Sequence, residues 1–227
     1  RGYHFWQAFT TGKPLSSGGI PHDIYGMTTH GVHQYVLELL AKLNLEESAI
    51  RKFQTGGPDG DLGSNEIKIS KDKTIAIVDG SGVLYDGLGI DRPSLLELAG
   101  ARKPVENFPL HKLSSQGFFV SVNDKNRQVS ENLFVKNGIE FRNKFHLSPL
   151  AKCDLFVPCG GRQRSITMGN YRELMGADGQ PNFNFVVEGA NLFFSQDARL
   201  ELEKRGVIVI KDSSANKGGV TSSSFEV

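Results

Sequence analysis

A glycine-rich loop between a short strand and a helix constrains the fold of this 227-residue chain more than any other feature. Residues 51–55 are predicted to form the strand, the loop contains Gly57, Gly60 and Gly63, and the SNEIKIS segment that follows is predicted to be helical. Glycines at such a place permit a tight turn, a close approach of the backbone to a pyrophosphate, and amide groups that face it from a helix N-terminus. The spacing is one residue wider than that of the usual dinucleotide-binding fingerprint.

An acidic residue at the end of the next predicted strand supports nucleotide binding. This strand covers residues 74–79 and ends in Asp79, which follows Gly57 by 22 residues, close to the usual separation of about 20. A carboxylate there accepts hydrogen bonds from both hydroxyls of the adenosine ribose and repels a 2′-phosphate. We therefore predict a βαβ unit that binds NAD rather than NADP, with a plain glycine-rich turn as the alternative for the loop alone.

Strand and helix patterns alternate along most of the chain. This order predicts an α/β fold with a doubly wound, Rossmann-like, mostly parallel sheet, whose ligand crevice lies at the carboxyl ends of the strands. Glycines and prolines in residues 1–26 predict ordered loop, and apolar residues spaced by three and four from Thr29 predict a helix that stops at Asn44. From residue 153 onward we predict strands at DLFVP, FNFVVE and VIVI, and helices at 168–175 and 197–205, the second capped by Ser195 and ended by Gly206.

A different pattern interrupts this alternation at about residues 104–149. The extended runs GFFVSV and NLFVKNGIEF predict a small β-rich insertion, and Asn137-Gly138 is a typical type I′ hairpin signal. Residues 79–98 carry turn signals and then the start of a helix, with Ser94 as its possible cap. The predicted organisation is a loop and helix in 1–44, a Rossmann-like NAD-binding domain in 45–215, and the truncated start of a further helical segment in 216–227.

Composition and charge argue against several classes of protein. The net charge is +1 with scattered basic residues, and no apolar run approaches about 18 residues, so neither a nucleic-acid partner nor a membrane span is predicted. Cys153 and Cys159 lie in one predicted strand and are expected to be packed thiols rather than a disulfide or metal site. Free thiols fit a reducing compartment, so we expect an intracellular protein, cytoplasmic or mitochondrial. The start, RGYHFWQAF, lacks an initiator Met and a targeting pattern, which suggests a fragment boundary at Arg1.

Two sets of titratable residues invite other interpretations. Asp59 and Asp61 should repel a pyrophosphate, so we favour one as a helix cap and the other pointing to solvent, over a contact with a ribose hydroxyl. His30 and His33, with His22 nearby, could suggest a metal, but no ligand set is complete and neither His30 nor His33 falls on the predicted apolar face. No metal site is therefore predicted.

Five phrases, taken together, resemble one enzyme family. In chain order they are TTGKPLSSGG, GGPDGDLGSNEI, VPCGGR, VEGANLFFSQDAR and KDSSANKGGVTSSSFEV, and they extend over nearly the whole chain. They are similar to segments of the large, NAD-specific glutamate dehydrogenases of fungi and protists. Shorter members of that superfamily share related TGKP and NAGGV segments, but the second and third phrases and the insertion fit the large type better.

The resemblance implies a contact role for each matching residue. Thr28 would meet the nicotinamide carboxamide, Asn191 would approach the nicotinamide ribose, and Asp79 would take the adenosine ribose. The loop residues Gly57, Pro58, Asp59, Gly60 and Asp61 would hold the pyrophosphate, and Cys159, Gly160 and Gly161 would lie beneath the adenosine. In the stretch that matches NAGGV, Asn216 would face the cofactor and Val220 the substrate. Ser223 would bond to the substrate's side-chain carboxylate, and Lys217 departs from the family's alanine, which leaves its role open.

The reaction that the resemblance implies is oxidative deamination of L-glutamate to 2-oxoglutarate and ammonia, with hydride passing to NAD. The family's catalytic lysine, substrate-binding lysines and catalytic aspartate lie upstream of the TGKP segment, which places them before Arg1. We therefore expect no catalytic residue in this chain, NAD binding without turnover by the fragment, and a homo-oligomeric intact enzyme. Two alternatives stay open: a dehydrogenase of the leucine or phenylalanine type, which a polar Ser223 disfavours, and a non-catalytic NAD-sensing module.

Overall fold

Alternating strands and helices make up the computed structural model, which describes residues 11–176 and 178–226. Within these residues the strands are β1 Arg51–Thr55, β2 Lys73–Val78, β3 Gly82–Tyr85, β4 Phe118–Ser121, β5 Lys125–Ser130, β6 Leu133–Asn137, β7 Cys153–Pro158, β8 Phe183–Val187 and β9 Ile208–Ile210. The α-helices are α1 His22–Tyr25, α2 Met27–Lys42, α3 Asp61–Ile69, α4 Arg92–Ala101, α5 Gly138–Lys144, α6 Gln196–Glu203, α7 Asp212–Ala215 and α8 Lys217–Ser224.

Seven strands form one sheet in the order β4, β3, β2, β1, β7, β8, β9. The strands from β2 to β9 in this order are parallel, and β3 and β4 extend the sheet as antiparallel strands at one edge. The chain begins the sheet in its middle at β1, builds outward through β2, and returns to β7 on the other side. Strand order therefore reverses between β1 and β7, which confirms the predicted doubly wound, mostly parallel α/β fold.

Both faces of the sheet are covered, as buried parallel strands require. On one face, Phe53 stacks on Phe156 with ring centroids 4.7 Å apart, and this aromatic cluster continues to Phe145 and to α6. On the other face, Ile77 packs under α3 and α4, and Val157 packs under α2. Side chains of a strand point alternately to the two faces, so each central strand contributes to both layers.

Most of the helices predicted outside the insertion form, with shifts at their ends. α2 begins two residues before Thr29 and ends beside Asn44, whose positive φ of 53° terminates the helix. α6 is capped as predicted by Ser195, which accepts a hydrogen bond from the amide of Ala198. Two predictions are wrong in type: α1 forms within a segment predicted as loop, and residues 171–174 form only a 3-10 turn within the helix predicted at 168–175. The predicted loop from Arg1 to residue 10 lies outside the described residues.

The segment predicted as turns after residue 79 contains a strand. β3 pairs antiparallel with β2, because the Asp79–Ser81 turn is tight enough to reverse the chain. The cap of α4 is also one turn earlier than predicted, since Asp91 accepts a hydrogen bond from the amide of Ser94 and Ser94 lies inside the helix. A strand of four residues, of which the first three are buried, shows too little alternation for the sequence to reveal it.

The predicted insertion is β-rich only in part. β4 joins the main sheet, β5 and β6 form a separate hairpin that turns at residues 131–132, and 3-10 turns and α5 complete the segment. Asn137-Gly138 is therefore not the hairpin turn: Asn137 caps α5 by accepting from the amide of Glu140. Asparagine suits both structures, and the choice falls to the helix because it buries Phe141 and Phe145 against Phe118 and Tyr85.

The remaining expectations concern thiols and membranes. Cys153 and Cys159 are free thiols, as predicted, at the two ends of the β7 region. Among residues 11–176 and 178–226, none of the helices has the length and apolar character that a membrane-spanning segment requires. α8 packs along α2, so the two ends of the described chain meet beside the sheet.

Candidate nucleotide-binding site

The site lies at the carboxyl ends of β1 and β7, where the strand order reverses. The amide of Cys159 donates to Thr55 O at 2.7 Å, which joins the two strand ends, and the amide of Gly56 donates to Val78 O at 2.8 Å. Gly56 has a φ of +88°, and a side chain there would lie 2.7 Å from the amide nitrogen of Gly160. The backbone of the loop thus turns directly over β7, and only glycine permits both the angle and the approach.

The glycines of the loop have different physical roles. A Cβ at Gly63 would lie 2.4 Å from Gly57 O, so this glycine lets α3 pack against the loop. A Cβ at Gly57 would lie 2.5 Å from Asp79 Oδ2, which places loop and strand end in contact. A Cβ at Gly60 would meet no atom closer than 3.6 Å, so the protein itself leaves space above this residue.

The N-terminus of α3 is open. Gly60 occupies the N-cap position in an extended conformation, and no side chain of residues 11–176 or 178–226 caps the helix. The first amide groups of an uncapped helix point outward without intrahelical partners, and they carry the positive end of the helix dipole. An anion is the ligand that such a terminus favours, and the empty space over Gly60 allows a pyrophosphate to approach it.

Two cavities flank this helix terminus, and the predicted site residues divide between them. The insertion-side cavity, about 620 Å³, is bordered by Gly57, Asp59, Gly60, Asp79, Gly160 and Gly161. The helix-side cavity, about 430 Å³, is bordered by Thr28, Asp61, Cys159, Asn191, Asn216, Val220 and Ser223. Pro58 is buried in the loop and does not border either of them. A cavity on each side of an uncapped helix terminus has room for an extended dinucleotide.

Asp79 borders the insertion-side cavity and is already hydrogen-bonded. Its Oδ1 accepts from the amide and the hydroxyl of Ser81 at 2.8 and 2.6 Å, and its Oδ2 accepts from the amide of Val105 at 2.7 Å. Oδ1 also accepts from the amide of Gly82 at 3.3 Å, so the roughly four lone-pair positions of the carboxylate are all in use, and a ribose hydroxyl would have to replace the longest of these contacts. Asp79 therefore fixes the β2–β3 turn and the segment near Val105 while it faces Gly57.

The two loop carboxylates behave differently from the favoured interpretation. Neither of them caps α3, because no side chain does so. Asp61 instead forms an exposed ion pair with Arg102 Nη1 at 2.7 Å, and Asp59 is exposed at the loop. The prediction that one of the two carboxylates points to solvent is therefore correct. The prediction that the other caps α3 is wrong.

Basic side chains that the sequence interpretation passed over surround the insertion-side cavity. Arg142 and Lys144 come from α5, and Arg162 and Arg164 follow the glycines after β7. Nε of Arg142 is buried without a hydrogen-bond partner among the described residues. Arg162 and Arg164, which follow VPCGG in the sequence, could have indicated these basic residues before the structure was known. These cations offset the repulsion that Asp59 would exert on a phosphate.

The helix-side cavity brings the predicted nicotinamide and substrate residues together. Asn216 Nδ2 donates to Asn191 Oδ1 at 2.6 Å and to Gly189 O at 3.0 Å, which links the loop after β8 to α8. A Cβ at Gly219 would lie 2.4 Å from Thr28 Oγ1, so the glycines of α8 permit its close packing against the start of α2. Glu188, which sequence reasoning missed, is buried and accepts from the amide of Phe194 at 3.0 Å, which closes the loop that carries Asn191.

The structure does not test the expectation that the catalytic residues lie before Arg1, which follows from the resemblance. The structure describes the chain only from residue 11 onward. The absence of a catalytic residue from the chain therefore stays a prediction. Both cavities are accordingly interpreted through the binding groups that the described residues supply.

A buried charge cluster lies beneath the helix-side cavity. Lys52 contacts Asp72 Oδ2 at 2.7 Å and Glu66 Oε1 at 3.2 Å, and His33 contacts Glu66 at 3.4 Å and Glu47 at 3.5 Å. The statement that His33 lies off the apolar face of α2 is therefore wrong: the side chain is buried, because acidic partners from outside α2 satisfy its ring nitrogens. Helical periodicity within α2 could not show those partners.

The pKa values in this cluster follow from burial and pairing. Burial raises the pKa of the Glu66 carboxyl, but Lys52 and His33 outweigh it and lower that pKa to about 2. Burial lowers the pKa of His33, but the Glu66 and Glu47 carboxylates outweigh it and raise the pKa above its ordinary value. Burial raises the pKa of Cys159 well above its ordinary value, so its thiol stays protonated and unreactive at the cavity floor. The described residues contain no group of three His, Cys, Asp or Glu side chains that could hold a metal ion.

The sheet order, the glycine loop and Asp79 together are typical of a dinucleotide-binding α/β domain. The profile of the Glutamate/Leucine/Phenylalanine/Valine dehydrogenase family matches residues 18–227. The chain therefore belongs to this family.

Individual relatives agree with the family match. Glutamate dehydrogenase 2 of Dictyostelium discoideum is 60% identical over 227 residues, which are all of this chain and 22% of that protein. The NAD-specific glutamate dehydrogenase of Neurospora crassa is 54% identical, again over all of this chain and 22% of its own length. These relatives confirm the resemblance found in the sequence. The chain spans only about a fifth of the length of the relatives that it matches.

Solved structures agree in fold. Glutamate dehydrogenase of Plasmodium falciparum superimposes with a TM-score of 0.64 at 20% identity, covering 95% of this chain and 41% of that one. The hetero-hexameric glutamate dehydrogenase of Thermus thermophilus gives a TM-score of 0.62 at 18% identity, covering 95% of this chain and 42% of the other. At these identities the likeness concerns the fold.

Proposed function

We propose that this chain is the NAD-binding part of an enzyme that oxidatively deaminates L-glutamate to 2-oxoglutarate and ammonia. The open N-terminus of α3, with space over Gly60 and a cavity on each side, is the observation that carries the proposal. Relatives named NAD-specific glutamate dehydrogenases, together with the family match, supply the reaction.

In this proposal NAD lies across the end of α3. The pyrophosphate faces the amide groups after Gly60, the adenosine enters the insertion-side cavity, and its ribose hydroxyls donate to Asp79. The preference for NAD over NADP follows from charge, because a 2′-phosphate would meet the carboxylate of Asp79. Arg142 and the arginines after β7 offset the negative charge of the phosphates. When bound, NAD would supply the acceptor for the hydride that leaves the substrate.

The nicotinamide and the substrate share the helix-side cavity in this proposal. Thr28 and Asn191 orient the nicotinamide and its ribose, Val220 packs against the substrate, and Ser223 donates to its side-chain carboxylate. Positioning of reactants in this way can lower a barrier by ~7 to 11 kcal/mol, but only when the groups that bind the α-carboxylate and transfer protons are also present. The resemblance assigns those groups to sequence upstream of the TGKP segment and of Arg1.

Two other functions are weaker alternatives. A dehydrogenase for leucine or phenylalanine would need an apolar residue at Ser223, because a buried hydroxyl without a partner costs roughly 1 to 3 kcal/mol. A non-catalytic NAD-sensing module would have the same cavities without turnover in any longer chain. Assembly into a homo-oligomer and a cytoplasmic or mitochondrial site remain parts of the proposal.

The proposal is tested by assaying the natural polypeptide that carries this sequence. NADH formation is followed by absorbance with NAD or NADP and with L-glutamate, L-leucine or L-phenylalanine. We expect turnover with NAD and glutamate, and no detectable turnover by the 227-residue chain alone, which should still bind NAD in calorimetry. Turnover of leucine at a higher rate would favour the first alternative, and NAD binding without any turnover by the natural polypeptide would favour the second.

A further inference from the structure

The TTGKPLSSGG segment folds as a loop around one carboxylate. Glu226 is buried, and its two carboxylate oxygens accept from the amides of Gly12 and Ile20, both at 2.6 Å. Lys13 Nζ donates to the backbone oxygen of Glu226. A segment near the start of the chain is thereby fixed to residues more than 200 positions later. Because Ile20 is bonded to Glu226, His22, two residues further along the chain, is held close to the same carboxylate.

His22 lies between two serines of α8 and this carboxylate. Its Nδ1 is 2.7 Å from Ser222 Oγ, and its Nε2 is 3.3 Å from both Ser223 Oγ and Glu226 Oε1. Both His22 and Ser223 border the helix-side cavity. Of the described residues that border it, His22 alone has a basic side chain. Asp23 and Asp61 border the same cavity, and Arg102 pairs with Asp61.

The directions of the hydrogen bonds follow from what each partner can do. Ser222 Oγ lies 2.7 Å from His22 Nδ1 and 3.0 Å from Gly219 O, and its single proton can be donated to only one of them. His22 Nε2 faces the carboxylate of Glu226, whose backbone hydrogen bonds, with that to Ile20 first, lower its pKa. An ionised carboxylate only accepts, so the ring proton is on Nε2, and Nδ1 is left to accept from Ser222 Oγ.

This polarity determines the role of the Ser223 hydroxyl. The Nε2 proton is shared between Glu226 Oε1 and Ser223 Oγ, both 3.3 Å away, so Ser223 Oγ accepts from His22 and keeps its own proton. Among the described residues, Ser223 Oγ has no other hydrogen-bond partner. The hydroxyl proton is therefore free to point into the cavity, and a hydrogen bond donated to a carboxylate is about twice as strong as one between neutral groups.

We propose that His22 is a positioning residue for substrate specificity, which orients the Ser223 hydroxyl as a donor toward a carboxylate on the substrate's side chain. The inference rests on the proposed function, in which Ser223 meets that carboxylate, and extends it by one residue. The ligand class is an amino acid or 2-oxo acid with a distal carboxylate. Glu226 contributes indirectly, because it holds both the loop that carries His22 and the Nε2 donor.

The experiment compares two amide variants of His22 in the natural polypeptide. His22→Asn keeps a hydrogen-bonding group at the position of Nδ1 and removes the donor at Nε2, whereas His22→Gln restores a donor near Nε2. We expect His22→Asn to raise the KM for glutamate at least about tenfold, with kcat and the KM for NAD within about twofold of their original values. His22→Gln should recover most of the lost affinity. His30→Asn, at an exposed histidine of α2, is the matched control.

A double-mutant cycle with Ser223→Ala tests whether His22 acts through the serine. In the Ser223→Ala background, His22→Asn should have no further effect on the KM for glutamate, and neither variant should change the rate with L-norvaline, which lacks the distal carboxylate. An equal rise in the KM for glutamate in both backgrounds, or equal losses of activity with glutamate and with norvaline, would overturn the role of His22. Turnover of glutamate by the unsubstituted polypeptide would still support the proposed function. Absence of turnover by the unsubstituted polypeptide would overturn both.

Discussion

Asp79 and Asp86 are two buried carboxylates that follow neighbouring antiparallel strands, at opposite ends of the sheet. Asp79 ties the β2–β3 turn to Val105, and Asp86 ties the end of β3 to Ser114, whose amide donates to it at 2.6 Å. Only Asp79 faces the glycine loop. A substitution at either position therefore leaves backbone donors without an acceptor, but a cofactor should respond to one of them alone.

This difference gives a test of cofactor choice at the residue scale. Asp79→Ser should weaken NAD binding by roughly 1 to 3 kcal/mol, the range for losing hydrogen bonds to a charged group, and should improve NADP binding relative to NAD. Calorimetric titration of both cofactors measures this change. Asp86→Ser, the matched control, should lower the melting temperature similarly and leave both affinities unchanged. An unaltered NAD:NADP ratio in Asp79→Ser would show that the ribose binds elsewhere.

At the scale of elements, α3 is positioned by one glycine and left open by another. Gly63 allows the helix to approach the loop, because its missing side chain would otherwise lie 2.4 Å from Gly57 O. Gly60 leaves the space that a pyrophosphate would fill. In the sequence the two glycines belong to one pattern. In the structure Gly63 matters for the packing of α3, whereas Gly60 leaves room for a ligand.

Two substitutions should separate these consequences. Gly63→Ala should destabilise the fold by about 1 to 3 kcal/mol, because backbone atoms rather than a flexible side chain must move. Gly60→Val should leave the unfolding midpoint nearly unchanged and abolish NAD binding, because its side chain would occupy the approach to the helix terminus. Urea unfolding and calorimetry on the same samples measure both properties. Wild-type NAD affinity in Gly60→Val would place the pyrophosphate away from this helix.

At the scale of the whole molecule, the Lys52 cluster joins four elements under the site. Lys52 lies on β1, Glu66 on α3 and His33 on α2, and Asp72 precedes β2. Removal of one member leaves the others buried without compensation, which typically costs about 3 to 5 kcal/mol. The helices α2 and α3, which border the helix-side cavity, are thus held to the sheet by charges as well as by apolar packing.

The cluster predicts how stability depends on pH. The pKa of Glu66 falls from 4.5 to about 2 on folding, so its stabilisation is complete above pH 4.5 and is lost as the pH falls toward about 2. The pKa of His33 rises above 6.5 on folding, so its stabilisation is complete below that value and is lost as the pH rises through the folded value. Urea midpoints measured from acid to mildly alkaline pH should therefore be highest at about pH 5 to 6.

Variants show which residue causes each change of stability with pH. Glu66→Gln should reduce the loss of stability at acid pH, and it should also reduce the loss above pH 6.5, because it removes a partner of His33 as well. Glu140→Gln, at an exposed pair with Lys144, should leave the profile unchanged. If the profile of Glu66→Gln runs parallel to the original at acid pH, another carboxylate controls acid unfolding.

Local patterns in the sequence were enough to predict the features whose causes lie close together along the chain. The apolar spacing of α2, the cap at Ser195, the central strands and the glycine loop with Asp79 all follow from the requirements of neighbouring residues. The α/β alternation then leaves few topologies, so the doubly wound sheet was predictable.

Features whose interacting partners are distant along the chain depend on the folded structure and could not be predicted in this way. The burial of His33 depends on Glu66, the helix cap at Asn137 depends on aromatic contacts of α5, and β3 is a strand because β2 and β4 pair with it. The contact between His22 and Ser223 joins residues 201 positions apart. Burial and long-range hydrogen bonding determine what such side chains do, and neither is encoded in spacing along one element.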